Sequence, residues 1–140
     1  MILVVDSNIV FAGLLRDSTT RRLLVDSPNS LYAPETLLIE IGKYADEIIR
    51  RSGLSKEEFE VLFSLITENI EVMEIEAYRH HLKDAEESLG RIDKGDIPFL
   101  ALALSIPCDG VWTENSTHFN KQDKVKVWTT GEIIANLTNY

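Results

Sequence analysis

Ile2-Leu3-Val4-Val5-Asp6-Ser7-Asn8 is the stretch on which the fold turns. Its apolar residues, mostly β-branched, offer no polar face to water, so Ile2–Val5 reads as a strand buried on both sides in a parallel sheet. Asp6 ends the run. Ser7 and Asn8 are cap-type residues, so a short helix over 9–15 follows, with a second over 20–26. Outward from there, 31–33 is a brief second strand, and Pro34 suits the first turn of the next helix. Leu37, Leu38, Ile41, Tyr44, Ala45, Ile48 and Ile49 recur at helical spacing, with Glu40 at the edge of that face. Ser55 and Glu58 form a capping box that opens a helix through Ile66. Residues 70–75 alternate apolar and polar like a half-buried strand. A charged, solvated helix is expected over 76–89. Pro98 opens an all-apolar helix, 110–113 and 125–128 are the last strands, and 132–137 is a terminal helix. Strands alternating with helices predict βαβ units, a central parallel sheet and a three-layer α/β/α sandwich.

Composition narrows the class further. The chain has 140 residues, 44% of them hydrophobic, enough for one core and a single domain over 1–140. The longest apolar stretch, 97–106, is half the length of a membrane helix, and the N-terminal residues lack the basic start of a signal peptide. Cys108 has no second cysteine to pair with, as expected in a reducing cytoplasm. With 14 basic and 23 acidic residues the net charge is −9, which excludes binding nucleic acid through overall charge alone. A nucleic-acid role then needs metal ions or a local basic patch. Arg21-Arg22 and Arg50-Arg51 are candidate phosphate contacts.

In an open parallel sheet, ligands bind beyond the carboxyl ends of the strands, so polar residues there carry the most information. Asp6 follows strand one, Glu40 lies on the helix after strand two, Asp96 opens the helix before strand four, and Glu114-Asn115 follow strand four. Carboxylates gathered in one crevice repel one another unless a cation neutralises them. Oxygen ligands without His or Cys select hard ions such as Mg²⁺ or Mn²⁺, which accept phosphate oxygens and activate water for phosphodiester hydrolysis. Asp96 also reads as a helix N-cap. His80 and His81 are adjacent on a helix, diverge by about 100°, and make a poor ligand pair. His118 lies in the loop after strand four, within reach of a substrate. An aspartyl-phosphatase would need Asp-x-Asp, which Asn8 breaks, and a phosphoacceptor receiver would need an Asp after strand three, where this chain has Glu74-Ile75-Glu76, and a Lys after strand five, where it has Thr129-Thr130.

The residues resemble those of PIN-domain proteins of the VapC-like toxin type over nearly the whole chain. The likeness rests on Ile2-Leu3-Val4-Val5-Asp6-Ser7-Asn8, Glu40, Asp93-Lys94-Gly95-Asp96-Ile97-Pro98-Phe99-Leu100-Ala101 and Val111-Trp112-Thr113 through Phe119. It implies a sheet of strand order 3-2-1-4-5 and a Mg²⁺- or Mn²⁺-dependent endoribonuclease for single-stranded RNA. It further implies the toxin role of a toxin–antitoxin pair, an antitoxin partner and a homodimer or higher homo-oligomer, for which Trp128 or the apolar residues of the helices at 36–49 and 57–66 are candidate interface residues. The first three acids of the family fall on Asp6, Glu40 and Asp96, and its hydroxyl residue on Ser7 or Thr113. The fourth position departs. Where the family has Thr-x-Asp-x-Asp-Phe, this chain has Thr113-Glu114-Asn115-Ser116-Thr117-His118-Phe119, so Asn115 or Glu114 stands in for the acid and Asp93 is a candidate outer-sphere carboxylate. The alternative implied by that departure is a catalytically reduced RNA-binding or assembly module.

Overall fold

The computed structural model describes residues 1–89 and 94–138. Strands β1 (Ile2–Val5), β2 (Ser30–Pro34), β3 (Ile70–Met73), β4 (Gly110–Trp112) and β5 (Val127–Trp128) form one parallel sheet. Their order is β3-β2-β1-β4-β5, as the resemblance implies. Leu3, Val4 and Val5 are fully buried, because β1 has a strand on each side and helices on each face. Chain order runs from β1 outward to β3 and then returns to β4 on the other side of β1. The crevice between β1 and β4 is therefore the topological switch point, where open α/β sheets bind ligands.

The helices are α1 (Ser7–Leu15), α2 (Thr19–Val25), α3 (Thr36–Ser52), α4 (Lys56–Glu68), α5 (Leu82–Leu89), α6 (Ile97–Ser105), α7 (Ser116–Phe119) and α8 (Thr130–Thr138). α1 packs on α2, α3 and α4, while α6 packs on α5, β1 and β2. The right-handed rule for parallel crossovers puts the two groups on opposite faces of the sheet, and α6, held between α5 and the strands, is apolar all round: Ile97 and Phe99 through Ala103 are all buried. The capping box forms, with Ser55 Oγ accepting from the Glu58 amide at 3.1 Å and Glu58 accepting from the Ser55 amide at 2.9 Å. Gly53 stops α3 with φ 75°, the left-handed cap that glycine adopts without penalty. Among the described residues no helix is long and apolar enough to cross a membrane.

Several local expectations are corrected. Pro34 lies at the end of β2, opposite Met73 of β3, and α3 begins at Thr36. Pairing of β2 with β1 stops at Tyr32, so the amide that proline lacks is not needed by the ladder. β3 ends at Met73 and not at 75. The expected helix over 76–89 is instead two 3₁₀ turns, Ile75–Ala77 and Arg79–His81, followed by α5. Tyr78 separates the turns with φ −133° and its side chain is buried in the core, so burial of one aromatic ring overrides helical propensity. Asp96 takes helical backbone angles and makes no side-chain cap to α6.

Gly110 is the position where the fold demands glycine. Its φ is 146°, and an added Cβ would stand 2.1 Å from the Lys126 carbonyl oxygen, which accepts the Val111 amide in the β4–β5 pairing. Gly110→Ala is expected to lower stability by about 3 kcal/mol or more, since strain and displacement of β5 add. Chemical denaturation checks this, and a loss under about 1 kcal/mol would contradict it.

Candidate active site

Parallel pairing brings the ends of β1 and β4 to the same level. Val5 is in register with Trp112, the Asp6 amide donates to the Trp112 carbonyl at 2.9 Å, and the Thr113 amide donates to the Trp128 carbonyl at 3.0 Å. Asp6 and Thr113 thus leave adjacent strands side by side. The Thr113 hydroxyl donates to Asp6 Oδ2 at 2.7 Å and accepts from the Asn115 amide at 2.9 Å. That relay fixes the hydroxyl, and through it the Asp6 carboxyl.

Asp6 is 1% exposed, and its second oxygen, Oδ1, is buried with no hydrogen-bond partner. Burial is the main cause that pushes its pKa up from 3.8 to about 7. The Thr113 hydroxyl and the Ser7 amide pull the other way, and the charges of Asp96 and Glu40 push further up. Asp6, Asp96 and Glu40 therefore share one electrostatic environment although they are far apart along the chain. Glu40 lies half-buried on α3. Asp96 ends the 3₁₀ turn Lys94–Asp96 that leads into α6 and is 8% exposed.

Asp96 Oδ2 meets Nδ1 of His118 at 2.5 Å. His118 sits on α7, is 7% exposed, and its Nε2 is buried without a partner. From its place in the sequence His118 is expected only to touch substrate, and the pairing with Asp96 is not legible there. A signal of some role at the centre is present, because His118 immediately precedes Phe119, where the resembled pattern carries an acid.

The other candidates are placed differently. Glu114 is exposed, and its carboxylate accepts the Thr130 amide at 2.8 Å, at the start of α8. Asn115 is also exposed and contributes its backbone to the Thr113 relay. Ser7 contributes its backbone amide to Asp6. Asp93 lies outside the described residues. The Arg21 guanidinium donates to the carbonyls of Gly13 and Leu14 at 2.7 and 3.3 Å, closing the C-terminus of α1. Arg50 is exposed, 3.9 Å from Glu47. His81 shares a hydrogen bond with Ser105 Oγ at 2.8 Å, which ties its turn to α6.

The donor set fits a hard divalent cation. It consists of carboxylate oxygens, one buried oxygen of Asp6 has nothing to accept from, and burial, with the neighbouring acids adding to it, holds Asp6 against ionisation. Among the described residues, no group of three or more His, Cys, Asp or Glu side chains stands ready-made around an ion. Asp6 and Asp96 each have an oxygen on a protein neighbour, Thr113 and His118.

No curated protein matches the chain. A family model described as the PIN domain matches residues 4–138. PIN domains are generally nucleases, and such nucleases generally use divalent metal ions. With that match spanning nearly every residue, and with five parallel strands in the order 3-2-1-4-5, the chain belongs to the PIN-domain family.

Proposed function

We propose that the protein is a metal-dependent endoribonuclease for single-stranded RNA, with Asp6, Glu40 and Asp96 holding Mg²⁺ or Mn²⁺. The observation that carries this reading is the Asp6 carboxyl, buried beside two other acids with one oxygen unpartnered. The Thr113 hydroxyl and the Ser7 amide offset only part of the cost of that burial, and a cation would stabilise the carboxylate further. A divalent ion bound there supplies positive charge against the scissile phosphodiester and its leaving oxygen. Thr113 keeps Asp6 in one orientation, and Asn115 keeps the Thr113 hydroxyl aimed at it. The net charge of −9 repels RNA over most of the surface, so attraction of the substrate depends on this centre. Three carboxylates, with Glu114 on the Thr130 amide, support a single ion more than a pair.

Exposed apolar side chains on α3 and α4, with Ile39 at 68% and Val61 at 62%, fit the homodimer of this reading. The toxin role and the antitoxin partner rest on the resemblance alone. A second reading, a catalytically reduced RNA-binding module, draws on the same placement of Glu114 and on Asn115 in the fourth position. Cleavage of a labelled single-stranded RNA separates them. Chelation is expected to lower the rate by at least about 100-fold, roughly 3 kcal/mol of barrier, and added Mn²⁺ to restore it. Cleavage indifferent to chelator overturns the metal assignment, and Mn²⁺ binding without cleavage selects the second reading.

A further inference from the structure

We propose that His118 is the positioning residue of the centre, setting the orientation of Asp96 for the metal ion; this rests on the metal assignment above. The two residues come from different elements, α7 and the turn before α6, and both are more than nine-tenths buried. Nδ1 of His118 and Oδ2 of Asp96 are 2.5 Å apart, so a proton lies between them. The tautomer with hydrogen on Nε2 alone sets two lone pairs face to face at that distance and leaves a buried donor unmade, because Nε2 has no partner. The proton therefore belongs on Nδ1, and His118 donates. One donated bond to one oxygen fixes the rotation of a carboxylate about its last torsion. The imidazole also packs in a T-shaped arrangement with the Phe119 ring, with centroids 5.9 Å apart.

The same device acts at Asp6, where Thr113 donates to one oxygen. Each buried acid of the centre thus has one oxygen committed to a protein donor, and a fixed carboxylate gives up less freedom on ligating a cation. A histidine at 118 adds a donor where another carboxylate would add repulsion.

Calorimetric titration of the metal-free protein with Mn²⁺ tests this, using His118→Leu, which keeps bulk and removes the donor, and His118→Asn, whose amide nitrogen takes the place of Nδ1. The expected result is Mn²⁺ binding weakened tenfold or more in His118→Leu and within about threefold of the parent in His118→Asn, with both variants folded by circular dichroism. Equal binding in all three proteins overturns the proposal, as does equal weakening in both variants, which would reveal a packing role. If the leucine variant does not fold, weakened binding by a folded His118→Asn still overturns it. A long-range proton–nitrogen NMR spectrum of the metal-free parent provides a second readout: a protonated Nδ1 at His118 supports the assignment, and a bare Nδ1 overturns it. No Mn²⁺ binding by the parent brings down the metal assignment and this proposal together, whereas parent binding with an indifferent His118→Leu brings down this proposal alone.

Discussion

Asp96→Asn is expected to abolish RNA cleavage, with kcat/KM falling by about 10³-fold or more, while the protein stays folded. The reason lies in what the substitution keeps. Asparagine Oδ1 can still accept from His118 Nδ1, so the contact between α7 and the start of α6 persists, and Asp96 makes no cap whose loss would unravel α6. What disappears is one of the three carboxylates proposed to hold the cation. A factor of 10³ corresponds to about 4 kcal/mol of transition-state stabilisation, in the range for losing a ligand that acts only through bound charge. Melting within a few degrees of the parent together with lost cleavage supports the assignment. Cleavage equal to the parent refutes it.

Asp6→Asn is expected to stabilise the metal-free protein at neutral pH, although it removes a residue of the centre. Folded Asp6 titrates at about 7, against 3.8 for the unconstrained group, so between those values the native state holds a proton that the unfolded chain releases. The contribution of this carboxyl to stability is complete below about pH 4 and is lost as pH rises through 7. A shift of this size corresponds to roughly 4 kcal/mol as an upper bound. In chelator, parent stability therefore falls from pH 4 to pH 8 relative to the variant, and the variant is the more stable at pH 8. Asparagine preserves the acceptor for Thr113 and turns an amide toward the neighbouring acids where the parent has an unpartnered oxygen. Mn²⁺ is expected to raise the melting temperature of the parent and leave the variant unchanged, since only the parent gains a binding term. Denaturation curves at several pH values check this, and a variant less stable than the parent at pH 8 in chelator contradicts it.

Part of the fold and of the candidate site is legible in the sequence and part is not, for physical reasons. The β1 run was legible because a strand with no polar face has few places to go, and the capping box because its two bonds lie three residues apart. Local spacing held for Gly110–Trp112 and for the apolar circuit of α6 for the same reason. Tyr78 was not legible as a helix breaker, since nothing near it in sequence reports the core pocket that takes its ring. Pro34 failed similarly: whether a proline ends a strand or opens a helix depends on whether its neighbour strand needs an amide. At the centre, Asp6 could be placed from the strand it terminates. Asp96 could be named but not understood, because α6 and β4 separate it from its partner His118, and pairings of that separation leave no periodic trace. Glu114 and Asn115 were ambiguous on paper because one residue decides which of two adjacent side chains faces the crevice. The chain instead sends the Glu114 carboxylate to α8 and uses Asn115 through its backbone.

Crystals of the protein grown or soaked with Mn²⁺, with data collected near the manganese absorption edge, test the central claim most directly. The account predicts an anomalous peak bounded by Asp6, Glu40 and Asp96, with His118 still on Asp96. No peak at a saturating concentration, or a peak touching none of the three, would contradict it.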